Sequence, residues 1–194
     1  MKYFWSDLHF GEKEVCKVGK RGQIFSSQEE WEGRCIESLC SYLKAGDILY
    51  LLGDTATKQS MRNFRALLPK KIMTVLIVGN HDPSMGFCQT VFGQSFVKDY
   101  TKIKLRDNLT ILSHYPILYW DKCHNGSLHL HGHVHDQKTD LILSLFPEAR
   151  ILDVCPESSL RWLGEFRPFS EDDVCEILLK RKGHDDVSMY PKYD

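Results

Sequence analysis

Ile72-Met73-Thr74-Val75-Leu76-Ile77-Val78, followed at once by Gly79-Asn80-His81-Asp82, is the stretch on which the reading of this chain turns. Seven almost wholly apolar residues, several of them β-branched, have the length and composition of a strand covered on both faces, as in a parallel sheet. The abrupt change to Gly-Asn-His-Asp puts polar and turn-forming residues at the carboxyl end of that strand. In open α/β sheets, ligands bind in the crevice outside those ends. The same arrangement recurs four more times. Residues 2–6 lead to Asp7-Leu8-His9, 47–52 to Gly53-Asp54, 109–112 to Ser113-His114, and 128–131 to Gly132-His133-Val134-His135. One such motif arises by chance in many chains, whereas five, each behind a strand, predict one crevice that all of them line.

Helical signals fill the spaces between. Ser27 and Glu30 form a capping box, and Trp31, Cys35, Leu39 and Leu43 follow at four-residue spacing until Gly46. Residues 58–68 carry Met61, Phe64 and Leu68 on one helical face and end at Pro69. After residue 95 the texture changes to closely spaced strands, predicted at 96–98, 102–105, 109–112, 128–131, 150–154 and 174–179, with little helix between them. These patterns predict an α/β fold, a four-layer sandwich of two mixed β-sheets packed face to face with helices outside. One domain occupies residues 1–180, and 181–194 reads as a polar, loosely held tail.

Composition bounds the function. The 194 residues hold 25 Lys and Arg against 26 Asp and Glu, a formal charge of -1, which speaks against extended nucleic-acid tracking and against an anionic membrane. Seven cysteines with no C-x-x-C pair argue against a disulfide framework and a thiolate zinc site. Tyr3-Phe4-Trp5 is interrupted at once by Ser6-Asp7, which is no signal-peptide core, and no apolar run approaches the roughly 20 residues of a membrane helix. A reduced, cytoplasmic protein is expected.

The residue types at the five strand ends specify the chemistry. Carboxylates, an Asn carbonyl and several imidazoles, without thiolate, form a mixed N/O set suited to Mn, Fe, Zn, Co or Ni. Seven such ligands exceed what one ion takes. Two divalent ions about 4 Å apart repel by roughly 17 kcal/mol at an effective dielectric of 20, so a pair requires bridging anions, a carboxylate and a hydroxide.

With these motifs in hand, the chain resembles the calcineurin-like metallophosphoesterase superfamily, whose pattern D-x-H, G-D, G-N-H-[DE], H, G-H-x-H is complete here across residues 2–154. It is most similar to small bacterial or phage-type members with D-L-H-F-G near the start and an L-S-H-Y-P strand. The resemblance implies two divalent ions, Mn²⁺ the first choice with Fe, Zn, Ni and Co as alternatives. It places Asp7, His9 and His135 on one ion, Asn80, His114 and His133 on the other, and Asp54 between them. It further implies that His81 is no ligand but meets the scissile phosphate and aids leaving-group departure, with Asp82 holding its imidazole. The expected function is in-line attack of a metal-bridging hydroxide on a small phosphodiester or phosphomonoester, nucleotide-like or a nucleic-acid end. Against the shortest family pattern, 155–170 looks like an insertion.

Other residues invite weaker readings. The loop from Glu12 to Gln23 carries Lys13, Lys17, Lys20 and Arg21 against two acids, and Lys20 and Arg21 are candidate substrate contacts, as is Tyr115 beside His114. His129 and His131 share a strand face and read as sheet residues rather than extra ligands, while His124 and His184 read as loop residues. Two alternatives remain: an HD-type phosphohydrolase, since His81-Asp82 is an H-D pair, and a metal-binding scaffold protein of the same superfamily.

Overall fold

The strands of the computed structural model, which describes residues 1–17 and 21–183, run in chain order as β1 (Lys2–Trp5), β2 (Ile48–Leu52), β3 (Met73–Ile77), β4 (Val97–Lys98), β5 (Tyr100–Leu105), β6 (Asn108–Ser113), β7 (Leu128–His131), β8 (Ile151–Asp153) and β9 (Phe169–Ser170). They form a five-stranded sheet of order β4-β3-β2-β1-β9 and a four-stranded sheet of order β5-β6-β7-β8. In the first, β1 to β4 are parallel and β9 runs antiparallel to β1; in the second, β5 and β6 are antiparallel and the other pairs parallel. Both sheets are therefore mixed. The helices are α1 (Arg21–Ile24), α2 (Gln28–Tyr42), α3 (Met61–Leu67), α4 (Met85–Phe92), α5 (Thr139–Leu145), α6 (Pro156–Leu163) and α7 (Glu171–Leu178).

Period-two alternation divides each strand between two cores. Along β2, Tyr50 and Leu52 face inward with Phe4, Ile77, Leu112, Leu130 and Leu152 of the two sheets, whereas Leu49 and Leu51 face Trp31, Cys35, Leu39 and Phe64 of α2 and α3. On the far side, Ile111 and Ile151 pack with Ile142 of α5 and with Trp120. Helix, sheet, sheet, helix is the four-layer order that the sequence predicts.

The predicted strand at 174–179 is wrong: it lies largely within α7. Ser170 accepts the Asp173 amide at 3.1 Å and the Asp173 carboxylate accepts the Ser170 amide at 2.8 Å, a complete capping box, with Glu171, Asp172 and Asp173 in the favourable first turn. Val174, Cys175 and Leu178 then share one buried face at helical spacing. The texture after residue 95 also holds more helix than expected, in α5 and α6, and the helix predicted at 58–68 begins only at Met61. Residues 155–170 supply α6 and strand β9, which extends the first sheet. Of the predicted tail, Arg181 donates to the carbonyls of Ala149 and Ile151 (2.9 and 3.1 Å) and Gly183 to that of Glu148 (2.9 Å); His184 and the rest lie outside the described residues. Among the described residues no helix is long and apolar enough to cross a membrane.

Candidate metal centre

Five strand ends deliver their polar residues to one place, as the motif spacing predicts. Asp7, His9 and His135 each offer a ligand atom within 4.8 Å of the others, and Asp54, His114 and His133 form a second such group. Asp54 Oδ2 lies between the groups, 3.8 Å from His9 Nε2 and 3.4 Å from His114 Nε2. Asn80 Oδ1 stands 3.0 Å from that same His114 nitrogen. All seven expected ligands are thus brought together.

Backbone geometry makes this possible at some cost. Asp7, His9, Asp54, His133 and His135 all have positive φ, between 49° and 72°, a region costly for residues with a Cβ and found mostly where function demands it. Gly53 (φ 87°) precedes Asp54 because a Cβ there would stand 2.3 Å from His114 Nδ1; one on Gly132 would stand 2.4 Å from Asp7 Oδ2. Hydrogen bonds then hold the ligands. The His133 amide donates to Asp7 Oδ1 (3.0 Å) and the His81 amide to Asp54 Oδ1 (2.7 Å). His114 Nδ1 donates to the Leu52 carbonyl at 2.8 Å, which fixes the tautomer with Nε2 facing Asp54.

Burial pushes the Asp7 carboxyl well above its usual range, with the nearby Asp153 adding to the effect, and lowers His9 and His133. Burial also takes His135 down to about 2, with the Arg21 cation next in weight. His114 goes the other way: burial opposes its charge, but its bond to Asp54 and the field of Asp7 outweigh that and raise it to about 9. Asp54 is correspondingly held at about 2, where His114 and the His81 amide overcome burial.

The donor set fits divalent metal. Neither ring nitrogen of buried His9 makes an aligned hydrogen bond, although buried polar atoms nearly always find a partner, so Nε2 is an unpartnered nitrogen facing Asp54. Nitrogen and carboxylate oxygen without thiolate is the chemistry such ions take.

The remaining expectations fare unevenly. His81 sits at the rim, its side chain 51% exposed. Asp82 does not hold it: one carboxylate oxygen accepts the amides of Thr55 (2.7 Å) and Ala56 (3.3 Å), the other that of Gly79 (2.9 Å), so Asp82 ties the Gly53-Asp54 and Gly79-Asn80 loops together. The partner that the resemblance implied for His81 is therefore corrected. Glu12 Oε1 instead lies 3.0 Å from His81 Nδ1, a role that only its position three residues after His9 could have signalled. Arg21, expected toward substrate, is buried behind the ligands, donating to Glu157 (2.6 Å), to the Asp7 carbonyl (2.7 Å) and toward His135 Nδ1 (3.1 Å). Lys20 lies outside the described residues. Tyr115 is half exposed with its ring 4.7 Å from that of His133 and 5.0 Å from that of His114. His129 and His131 are buried in the sheet, hydrogen-bonded to backbone, and His124 is exposed. His81-Asp82 follows a strand, not a helix, against the HD-type alternative.

The family model described as calcineurin-like phosphoesterase matches residues 3–188. The chain belongs to that family. It is a phosphoric ester hydrolase that depends on divalent metal, and its five motifs are those of a calcineurin-like phosphoesterase. Among solved structures, a protein of unknown function from Aquifex aeolicus is similar over 91% of this chain and 98% of its own, with TM-score 0.69 and 23% identity, which shows a shared fold. An uncharacterised protein from Streptococcus pneumoniae, described as a predicted phosphoesterase, aligns over 80% of this chain and 70% of its own at TM-score 0.40 and 17% identity. No curated protein matches the chain.

Proposed function

We propose that this calcineurin-like phosphoesterase works with two divalent ions, Mn²⁺ first among them, and hydrolyses a small phosphomonoester or phosphodiester, with nucleotides and nucleic-acid ends the favoured class, in the cytoplasm. The observation that carries the two-ion reading is that Asp54, grouped with His114 and His133, also stands with Oδ2 3.8 Å from His9 Nε2 of the other group. Asp7, His9 and His135 would hold one ion, Asn80, His114 and His133 the other, and Asp54 both. Bound there, the ions would supply Lewis acidity to the phosphoryl oxygens and lower the pKa of water from 15.7 toward roughly 7, which provides a nucleophile at neutral pH.

The chain's own residues do the rest. Asp7 and Asp54 offset part of the positive charge. His81, exposed at the rim, is placed to give a proton to the departing oxygen. Tyr115 stands at the rim beside His114 and His133, where its ring can meet the group attached to the phosphate. With a formal chain charge of -1, attraction for phosphate is local to the site, which favours one phosphate group over a long polyanion. Seven free thiols suit a reducing compartment.

Hydrolysis of bis-p-nitrophenyl phosphate and of p-nitrophenyl phosphate, with and without Mn²⁺, tests this reading. Metal-dependent release of nitrophenolate from either supports it, and the faster one separates diester from monoester chemistry. Bound metal with no turnover of either, nor of mononucleotides, cyclic nucleotides or end-phosphorylated oligonucleotides, would instead favour the scaffold reading.

A further inference from the structure

We propose that Glu12 is a positioning residue that sets two histidines at once through one carboxylate oxygen, orienting the metal ligand His9 and the proton donor His81. The roles of those histidines rest on the function proposed above; the positioning rests on contacts alone. Glu12 Oε1 lies 2.9 Å from His9 Nδ1 and 3.0 Å from His81 Nδ1, and the two rings meet edge to face with centroids 4.9 Å apart. An ionised carboxylate only accepts hydrogen bonds, so the ring nitrogen that faces it is the one that carries the proton. On His9 the 2.9 Å contact lacks hydrogen-bond alignment, so the carboxylate acts through its charge: it favours the proton on Nδ1 and leaves Nε2, which faces Asp54, free as a ligand, as carboxylates behind metal-binding histidines generally do. On His81 it leaves Nε2 as the atom that meets substrate.

His81 has little else to hold it. Its side chain is 51% exposed, and among the described residues its ring makes no hydrogen bond other than that to Glu12. The His81 amide bond to Asp54 fixes the backbone, not the ring, and Asp82 is spent on backbone amides. Glu12 itself is well anchored. Its amide donates to the His9 carbonyl at 3.1 Å, and the preceding Gly11, at φ 84°, donates to Glu32 of α2 at 2.7 Å. A Cβ on Gly11 would lie 2.1 Å from Ser60 Oγ, so the turn that presents Glu12 is built tightly against the start of α3.

The test uses the full chain, metal-free and loaded with diamagnetic Zn²⁺, with long-range proton–nitrogen correlation spectra that report histidine tautomers. Wild-type His81 is expected as the Nδ1–H tautomer in both forms. In Glu12→Ala it is expected to shift toward Nε2–H, with Zn²⁺ affinity falling about 10-fold or more, in the range seen for loss of such outer partners. Turnover should fall about 10- to 100-fold for alkyl phosphates, whose leaving oxygen needs a proton, and far less for p-nitrophenyl phosphate. Glu12→Gln, which keeps an acceptor oxygen, should retain more of the His81 Nδ1–H form than Glu12→Ala. A wild-type His81 found as Nε2–H, or a tautomer unmoved in Glu12→Ala, would overturn the inference. Because the spectra need no turnover, failure of the positioning role is distinguishable from absence of hydrolysis in the wild type.

Discussion

Each polar residue at the strand ends has one job set by its neighbours. His114 gives Nδ1–H to the Leu52 carbonyl and turns Nε2 to Asp54, while the ring of His81 stays exposed at the rim, where the proposed function has it meet substrate. His81→Ala should therefore keep both metals, since no predicted ligand is lost, yet slow turnover by about 10² to 10⁴, the usual contribution of one positioned general acid. Metal analysis with steady-state kinetics checks both halves; an unchanged kcat would remove His81 from the chemistry. At this scale the sequence named the candidate ligands that the fold gathers, and said little about the residues that hold them. A ligand is announced by its type and by the strand before it. The residue that orients it is announced by neither, so nothing in the sequence corrected the Asp82 partner that the resemblance implied for His81, or pointed to Glu12.

Strand β7 shows how an element far from solvent holds the site's rim. His129 is fully buried; Nδ1 donates to the Ile111 carbonyl (3.2 Å) and Nε2 accepts the Ile117 amide (3.0 Å), which pins the loop that follows His114 and Tyr115. Only the neutral ring can do both. Burial, with His131 second, lowers His129 to about 3, against 6.5 for the exposed group. The unfolded chain thus takes up a proton that the folded one refuses, so stability from this group is complete above pH 6.5 and is lost as pH falls toward 3. The full effect is on the order of 5 kcal/mol. Urea denaturation in chelator, where metal loss plays no part, should show a shallower acid loss for His129→Gln than for wild type; equal slopes would contradict the assignment. The elements themselves were legible wherever hydrophobic period and caps agreed, as in β3 and α2. Residues 174–179 misled because a short apolar run lacks the length to separate strand from helix, and the deciding signal, the Ser170–Asp173 capping box, lay upstream of it.

Across the whole molecule, a buried ion pair joins segments 136 residues apart: Arg21 with Glu157, 2.6 Å from nitrogen to oxygen, the guanidinium 1% exposed and 4.2 Å from the Trp31 ring. Desolvation of Arg21 is offset by Glu157 first and by Asp7 after it. Arg21→Met would strand the Glu157 carboxylate and should cost about 3–5 kcal/mol of stability; the double replacement with Glu157→Met should recover much of that. Thermal or urea unfolding decides, and a double variant no better than the single would contradict the pairing. No local pattern in the sequence could have shown this link, because its two ends lie 136 residues apart in the chain. The same long-range assembly sets Asp54 between His9 of one group and His114 of the other, and the proposed dinuclear centre stands on that placement. Metal content at saturating Mn²⁺, measured on wild type and on Asp54→Ala, tests it most directly. The account predicts two ions per wild-type chain and neither held tightly by Asp54→Ala; a variant that still binds two would contradict it.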